Sequence, residues 1–461
     1  MMKPDRGSRR TLSIFAVLAF ALCGGVQRLG AQDTTRVVLR SDTITLGDAI
    51  SIALAQNNTA RFARNNIRLD SLSVRSARNA FLPNLSASSS ASQAFAEKDN
   101  GNGGANARSF SAGVSSGVTL YNGRQNVNTL RQAQLNAQAS GQEFSRVRQT
   151  VVFVVASDFL DLITQQEQLR VQQENLAAQQ QELTQLEAFV KQGTRPIGDL
   201  YQQQAAVAQT QLALANARRA TENAKVNLIE ELVLDPRKNY VFVNPTAAGT
   251  APAMTFNLDS LIDAAWSRRA DLRAEDLRVQ AARREVDIAR GTRLPVVNGS
   301  AGFSSGYNSG ADGSFLTQLD QRRGGSIGLS LSLPIFDRGA SSIATQRALI
   351  GLENELLTLR DLGQSAALEV RRAYLDYNAA QEQLVAADAQ ARAAALALEA
   401  AQSRYRVGAA TFVEVTIARA ALIQAQSAVV SARSSVTFQR ALMSYYTGDL
   451  DPTGASIDLR R

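Results

Sequence analysis

The side chains that most often carry out enzyme chemistry are nearly absent from this chain. It has no histidine, and its only cysteine is Cys23. Histidine is the commonest general base and metal ligand, and the cysteine thiolate is a frequent nucleophile. Carboxylates remain, but no pair of them stands out as an acid–base couple. The residue types therefore argue against an enzyme and predict neither a metal site nor a bound cofactor.

The N-terminus has the composition of a secretory signal peptide, which we expect to cover residues 1–31. Its basic residues are Lys3, Arg6, Arg9 and Arg10. The apolar run Leu12–Leu22 is too short to span a bilayer as a helix, and the small residues before Gln32 favour cleavage there. An uncleaved membrane anchor and lipid attachment at Cys23 are the alternatives, although Leu22 is larger than the residue that normally precedes a lipidated cysteine.

The formal net charge of the chain is +8, but half of it belongs to the predicted signal peptide. Within residues 1–31, five basic residues stand against one aspartate, a net of +4. Along the rest of the chain, arginines and acidic residues are interspersed, as on the solvated face of a helix. Because neither a basic stripe nor a recognition motif accompanies the remaining charge, it predicts no nucleic-acid partner.

The sequence repeats itself once. The matching landmarks are Leu46–Ile50 with Leu258–Ile262, Leu82-Pro83 with Leu294-Pro295, and Gly193 with Gly408, separated by 212, 212 and 215 positions. Because the matching landmarks occur in the same order and are separated by nearly the same number of positions, they predict two structural repeats. The predicted divisions are a first repeat at 32–236, a linker at 237–252, a second repeat at 253–450 and a C-terminal tail at 451–461. The linker region carries a short strand-like run, Tyr240–Val243.

Each repeat is predicted to contain three helical stretches. The first helix ends before the Leu-Pro pair, because the residue before proline avoids the helical region. A very long helix and a return helix follow, separated by a turn at Gly193 or Gly408. At 1.5 Å per residue, the roughly 67 residues of the long helix would span about 100 Å. The predicted ranges are 45–79, 125–191 and 198–234 in the first repeat, and 257–290, 340–406 and 412–446 in the second.

Between the first helix and the long helix, each repeat has two segments that alternate apolar and small polar residues. The predicted strands are 82–95, 109–121, 294–307 and 326–336, of which the second and fourth alternate most regularly. Polar loops, 97–108 and 308–323, separate the partners. The alternation fits a membrane barrel with one face toward lipid, and it equally fits a soluble antiparallel sheet with one buried face. Four strands cannot close a barrel, so three chains together would supply about twelve.

Several short motifs in fixed order make the chain resemble the TolC-like outer membrane efflux protein family over about 41–450. They are Leu46, Ala53, Leu54, Asn57 and Asn58 of the first helix, the Leu-Pro pairs, the strand ends Leu120–Gly123 and Leu333–Asp337, and the tip Tyr405–Val415. The resemblance implies a mainly α-helical, two-repeat subunit that also supplies strands to a membrane β-barrel. As a homotrimer, it would form a 12-stranded barrel in the outer membrane and a long coiled-coil α-helical tunnel in the periplasm.

The same resemblance implies a function and partners. Such a trimer is an outer-membrane export duct of a tripartite efflux or type I secretion system, a passive channel opened by other proteins. The implied partners are outer-membrane lipid, a periplasmic adaptor (membrane fusion) protein and an inner-membrane transporter. The alternatives are a soluble periplasmic coiled-coil adaptor or scaffold protein, which leaves the strand pairs unexplained, and a periplasmic enzyme, which the missing histidine disfavours.

Matched to the family, residues near the two predicted turns imply a gate that closes the tunnel. Glu414 falls at one acidic ring of the aperture, where three-fold symmetry would concentrate negative charge. Ile417 stands where a second acidic residue is often found, so the resemblance implies a weaker attraction for cations here. Tyr405 and Asp199 fall at positions that resemble the residues linking the helix tips.

The two turns add three expectations to this gate. The usual basic partner in the second turn is Ala410 in this chain, and we expect Arg195 of the first turn to supply the missing charge. Gly193 and Gly408 are expected to let the backbone reverse, because glycine adopts positive φ without a steric penalty. Since adaptors in the family contact the grooves beside these turns, both glycines are candidate adaptor-docking positions.

Overall fold

The computed structural model describes residues 43–93, 108–243 and 256–451 of the 461-residue chain. Parts of our sequence predictions lie outside the described residues. They are the signal peptide 1–31 with Cys23, residues 32–42 of the first repeat, residues 94–95 of the first strand, the loop residues 97–107, the linker residues 244–252, residues 253–255 of the second repeat and the tail residues 452–461.

Two halves of the chain contain the same helices in the same order. In the first half these are α1 (Leu46–Gln56), α2 (Asn58–Asn79), α3 (Gln125–Lys191) and α4 (Ile197–Glu231). In the second half they are α5 (Leu258–Arg268), α6 (Ala270–Gly291), then a short additional helix α7 (Phe315–Gln321), α8 (Ala340–Arg406) and α9 (Phe412–Tyr446). The matching helices have 11, 22, 67 and 35 residues in each half, so the subunit is a two-repeat structure.

The first helix of each repeat is broken, where the sequence predicted a continuous one. The break in the first half is at Asn57, whose ψ of 130° is extended and whose side-chain oxygen accepts hydrogen bonds from the backbone of Thr59 and Ala60. This is the N-cap arrangement that starts a new helix. The break in the second half is at Arg269, with a ψ of 124°. Helical spacing of apolar residues continues across both breaks, which is why the pattern did not reveal them.

The middle of α3 carries much of the apolar core of the first half. Val152, Val155, Phe159 and Leu162 are buried there. The Phe159 ring meets the edge of Phe242 at 6.4 Å between centroids, which anchors a small parallel sheet over the helix. That sheet pairs β1 (Thr43–Ile44) with β4 (Val241–Phe242). Residues 241–242 of the strand-like run 240–243 therefore form a strand. Strand β1 is too short to leave a pattern in the sequence.

A four-stranded antiparallel sheet, in the order β2-β3-β5-β6, extends from the helices. Its strands are β2 (Asn84–Gln93), β3 (Arg108–Asn122), β5 (Val296–Asn308) and β6 (Gly324–Ser332). The prediction that the last strand reaches residue 336 was wrong, since β6 ends at Ser332. Pro334 follows, and proline has no N–H to donate to a neighbouring strand. In the described part of the sheet, β2 and β6 each have a single neighbour, so both edges are open.

One face of this sheet is uncharged and made of small polar residues. Strand register places Ser, Gly, Thr or Asn at each of its positions, apart from Val296 at the end nearest the helices. Three serine pairs hydrogen-bond across β2 and β3 on this face, at 2.7–2.9 Å: Ser86 with Ser115, Ser90 with Ser111 and Ser92 with Ser109. A surface of this composition suits a water-filled lumen.

The opposite face is apolar and uncovered within the subunit. Ile327 is 93% exposed, Leu85 74% and Leu329 72%. A soluble sheet would bury such a face against a second layer, whereas a lipid-facing barrel wall leaves it bare until it meets the bilayer. The segregation of the two faces therefore favours the membrane barrel over the soluble sheet.

The long helices meet the strands at a close backbone crossing. Gly123 has a φ of +64°, and a Cβ atom there would lie 2.4 Å from the carbonyl oxygen of Gly291. Any larger residue at position 123 would clash with this backbone. A glycine is therefore required where β3 turns into α3.

Among the described residues, α9 is the one helix long and apolar enough by composition to cross a membrane. Its contacts assign it instead to the helical layer, because it packs along α8 and α3. Arg419 of α9, 8% exposed, also forms an ion pair with Glu182 of α3. An apolar face on α9 is thus used for packing between helices.

Candidate functional site

The far ends of the long helices close with the same backbone motif in both halves. Gly193, at φ +72°, follows α3, and Gly408, at φ +76°, follows α8. In the first turn the backbone N–H groups of Gly193 and Thr194 donate to Val190 and Phe189, and in the second those of Gly408 and Ala409 donate to Tyr405 and Arg404. This is the Schellman motif, which needs a left-handed residue at the glycine position. Both predicted glycines thus lie at the chain reversals.

Tyr405 and Asp199 join the tip of one helical hairpin to the tip of the other. The Tyr405 hydroxyl donates to a carboxylate oxygen of Asp199 at 2.6 Å, across 206 residues of sequence. Burial, followed by the hydrogen bond to Asp199, raises the pKa of Tyr405 above its ordinary value of 10.0. At neutral pH the hydroxyl therefore stays protonated and donates its hydrogen bond to Asp199.

Arg195 reaches the same junction from the first turn. Its guanidinium donates to the carbonyl oxygen of Tyr405 at 2.8 Å and to that of Arg406 at 3.3 Å. The guanidinium carbon also lies 4.1 Å from the centroid of the Tyr405 ring, a cation–π distance. The carbonyls at the end of α8 carry the negative end of the helix dipole, so a cation is favourable there. The structure thus brings Arg195, Tyr405 and Asp199 together.

Glu414 caps the N-terminus of α9. Its carboxylate accepts from the backbone N–H of Thr411 at 3.1 Å, while the Thr411 hydroxyl accepts from the Glu414 N–H at 3.4 Å. This reciprocal pair is a capping box. The backbone hydrogen bond from Thr411 is the main cause of the lowered pKa of Glu414. Arg404 approaches the same carboxylate at 3.4 Å, with both side chains largely exposed, so Glu414 faces solvent as a charged group.

A second link between the hairpins lies further along the helices, and sequence reasoning missed it. The Arg419 guanidinium of α9 pairs with the Glu182 carboxylate of α3, and their side chains are 9% and 19% exposed. Burial raises the pKa of Glu182, although Arg419 opposes the shift. The sequence contained a signal, because Arg419 is the single charged residue in the stretch 415–423, which is otherwise apolar except for Thr416. A buried charge of this kind normally has a partner.

A groove of about 820 Å³ runs beside this ion pair, between α4 and α9 over α3. Amide and hydroxyl side chains dominate its polar lining, including Gln172, Gln209 and Thr416, and Ile417 also lies in its wall. The position where the family often carries a second acid is therefore apolar here.

No group of three or more metal-binding side chains occurs in the described ranges 43–93, 108–243 and 256–451. The contacts at the tips can hold two hairpins together, and they offer no acid–base pair poised for catalysis.

Known outer-membrane proteins are similar to this chain in sequence. It is 27% identical over 382 residues to the pyoverdine export outer membrane protein OpmQ of Pseudomonas aeruginosa, covering 80% of this chain and 78% of that protein. It is 25% identical over 326 residues to the outer membrane protein TolC of Vibrio cholerae, covering 70% of this chain and 73% of the relative.

Solved structures extend the likeness to the fold. CusC, solved in a study of folding and transmembrane channel formation, superposes with a TM-score of 0.77 at 18% identity, over 87% of this chain and 92% of that chain. The sequence model of the outer membrane efflux protein family matches residues 49–232 and 261–448, which is most of both repeats. The chain therefore belongs to the outer membrane efflux protein family.

Proposed function

We propose that three copies of this chain form a passive export duct whose periplasmic end is held shut by contacts between the helix tips. As an outer membrane efflux protein, the chain lies in the outer membrane with a large periplasmic portion. In the proposed duct, the signal peptide 1–31 is removed, and the repeats 32–236 and 253–450 are joined by the linker 237–252, with a tail at 451–461. Nothing in this role requires a catalytic site or a nucleic acid.

The open edges of the sheet support a trimer. Exposed strand edges carry unpaired N–H and C=O groups that must be satisfied before a sheet can enter a bilayer. Pairing β6 of one copy with β2 of the next would satisfy them, and three sheets of four strands would make a 12-stranded barrel. The uncharged face would line its lumen, and the apolar face would meet lipid.

The observation that carries the gate is the hydrogen bond between Tyr405 and Asp199. It ties α8 to the start of α4, at the end of hairpins that extend about 100 Å from the turn back toward the sheet. Arg195 reinforces the tie through the α8 carbonyls and the Tyr405 ring. Separating the two tips requires these contacts to break, so they set a barrier to opening.

Opening is proposed to come from partners. A periplasmic adaptor would approach the grooves beside Gly193 and Gly408, and an inner-membrane transporter would supply the energy. Each glycine has open space around the position of a Cβ atom, so both turns are accessible to another protein. In this scheme the solvent-facing carboxylate of Glu414 lines the aperture.

A cross-linking experiment tests the proposal in cells. Asp199→Cys and Tyr405→Cys would be introduced together and joined by a short bis-maleimide. The other cysteine, Cys23, lies in the proposed signal peptide, so these thiols would be the only ones in the mature chain. We expect cross-linked cells to retain an efflux dye as strongly as cells that lack the channel, while each single-cysteine variant still exports it. Normal export after complete cross-linking would rule out separation of these tips as the opening step.

A further inference from the structure

The short helix α7 lies in a segment that the sequence predicted as a plain polar loop, 308–323. Its Phe315 ring is 5.5 Å from that of Phe110 in β3 and 5.1 Å from that of Tyr307 in β5. Strand register places Phe110 opposite Tyr307 on the apolar face of the sheet. The helix is therefore folded back onto the outward face, at the end of the sheet remote from the long helices.

Specific hydrogen bonds fix this arrangement. Gln318 of α7 is 1% exposed, and its amide nitrogen donates to the carbonyl oxygens of Asn308, Ala311 and Gly313 at 2.9–3.1 Å. Its amide oxygen accepts from the backbone N–H of Asn308 at 3.0 Å. The Ser305 hydroxyl donates to the carbonyl oxygen of Leu319. A buried amide with all these partners holds the segment in one conformation.

The position of α7 along the strands corresponds to a membrane interface. About ten residues separate Phe110 from Leu120 in β3, which is roughly 33 Å along a strand and roughly 25 Å along the axis of a tilted barrel. The apolar band of an outer-membrane barrel is about 25 Å tall, with aromatic residues at both borders. Tyr121 and Phe336 lie at the border near the helices, and Phe110, Tyr307 and Phe315 lie at the other.

The surface that α7 presents to its surroundings is apolar beside positive charge. Leu316 is 67% exposed and Phe315 43% exposed. Arg322 follows the helix, and Arg108 lies two residues from Phe110 on the same face of β3. Neither arginine enters an ion pair within the described residues, whereas Arg323 is paired with Asp320 at 3.1 Å. Apolar side chains flanked by arginines are typical of interfacial helices that bind anionic lipid.

We propose that α7, with Arg322 and Arg108, forms a binding site for a lipid with a net negative headgroup in the outer leaflet. Leu316 and Phe315 would contact the acyl chains, and the two guanidinium groups would contact the headgroup. The proposal rests on the orientation of the sheet in the proposed trimer, with its apolar face outward. It does not depend on the gate, so the two can fail separately.

Lipid retention by the purified channel tests the site. Intact channels would be incubated with equal amounts of phosphatidylglycerol and phosphatidylcholine of the same chain length, and the bound lipids counted by native mass spectrometry. We expect the native channel to retain phosphatidylglycerol with at least about a fivefold preference. The pair Arg108→Ala and Arg322→Ala should bring that preference close to one without reducing the retention of phosphatidylcholine.

The matched control removes two exposed arginines from α4, Arg218→Ala and Arg219→Ala, and should keep the preference. If a variant still retains phosphatidylcholine, its barrel wall is intact. If the double variant does not assemble, the single variant Arg322→Gln is measured in its place. An unchanged preference after removal of Arg322, or a native channel that does not distinguish the two lipids, would overturn the proposal.

Discussion

Tyr405 is the residue on which the proposed closed state most depends. Its hydroxyl bonds a carboxylate, its ring lies against the Arg195 guanidinium, and its carbonyl accepts from the same group. A hydrogen bond to a charged partner contributes about 1.5–3 kcal/mol, and a partly exposed one lies at the low end of that range. A barrier built from a few such bonds would keep the helix tips together in the resting channel. The binding energy of a partner could overcome it.

Removing the hydroxyl should therefore loosen the gate without disturbing the helices. Tyr405→Phe keeps the ring beside Arg195 and loses the bond to Asp199, and we expect a severalfold higher conductance in planar bilayers. Arg195→Ala should also raise the conductance. Tyr201→Phe, on the same helix as Asp199 and 61% exposed, is the matched control and should leave it unchanged. Equal conductance of the native, Tyr405→Phe and Arg195→Ala channels would show that these contacts do not close the pore.

The raised pKa of Tyr405 predicts how the gate responds to alkali. Because the folded pKa lies above the ordinary value of 10.0, the neutral hydroxyl is favoured in the closed state. Its contribution is complete below pH 10 and is lost as the pH rises through the folded value. Conductance recorded from pH 7 upward should thus stay flat to about pH 10 and increase beyond it. In Tyr405→Phe that alkaline increase should vanish, and its persistence would assign the effect to another group.

At the scale of elements, the break at Arg269 has a chemical basis. The Arg269 side chain is 4% exposed and pairs with Asp271 at 2.7 Å and with Glu369 of α8 at 2.5 Å. It thereby joins the start of α6 to the long helix of the second half. Arg268, the preceding residue, pairs with Asp449, but those side chains are 57% and 44% exposed. Neighbouring arginines thus make one buried and one solvated connection.

These two arginines should differ sharply in their effect on stability. Arg269→Met removes the buried guanidinium that joins Asp271 to Glu369. Arg146 stays 3.6 Å from Asp271 and Glu369 is 37% exposed, so we expect a loss of about 2 kcal/mol per subunit, less than for a fully buried pair. Arg268→Ala removes an exposed pair, and the expected loss is below about 1 kcal/mol. Denaturant unfolding of the detergent-solubilised channel, followed by circular dichroism, compares the two. Similar losses for both variants would mean that the buried cluster does not stabilise the junction of α5 and α6.

The long elements were predictable from sequence because their patterns are long. The ranges 125–191, 340–406 and 412–446 agree with α3, α8 and α9 residue for residue. Helical periodicity over many turns, ended by a glycine, leaves little freedom in the assignment. The strands were found from alternation alone, and their predicted ends differ from the observed ones by up to four residues. An alternating pattern does not show where a proline ends the hydrogen bonding between strands.

What the sequence did not reveal depends on distant contacts. Asn57 fits a helical pattern as well as it fits a cap, and its role becomes evident only when its amide donates to Glu231 at 2.8 Å. The helix α7 is too short for periodicity, and the buried Gln318 holds it through bonds to its own loop. At the tips, the resemblance suggested Tyr405 and Asp199, while the Arg419–Glu182 pair requires knowing which helices are neighbours.

At the scale of the whole molecule, the subunit is incomplete in two ways that one assembly would resolve. Within residues 43–93, 108–243 and 256–451, its sheet has two open edges, and one face of that sheet is apolar and exposed. An arrangement around a three-fold axis would pair the edges, expose the apolar face to lipid and place the uncharged face around a shared lumen. The same axis would set three Tyr405–Asp199 links around the aperture, so that a modest barrier in each subunit closes the whole duct.

Single-particle electron microscopy of the detergent-purified protein tests this assembly most directly. The expected image is a three-fold particle with twelve strands in the detergent belt and a helical tube about 100 Å long below it. The serine-rich face should line the lumen, and α7 should lie on the outside at the far rim. A monodisperse monomer that remains in solution without detergent would contradict the assembly and the function derived from it.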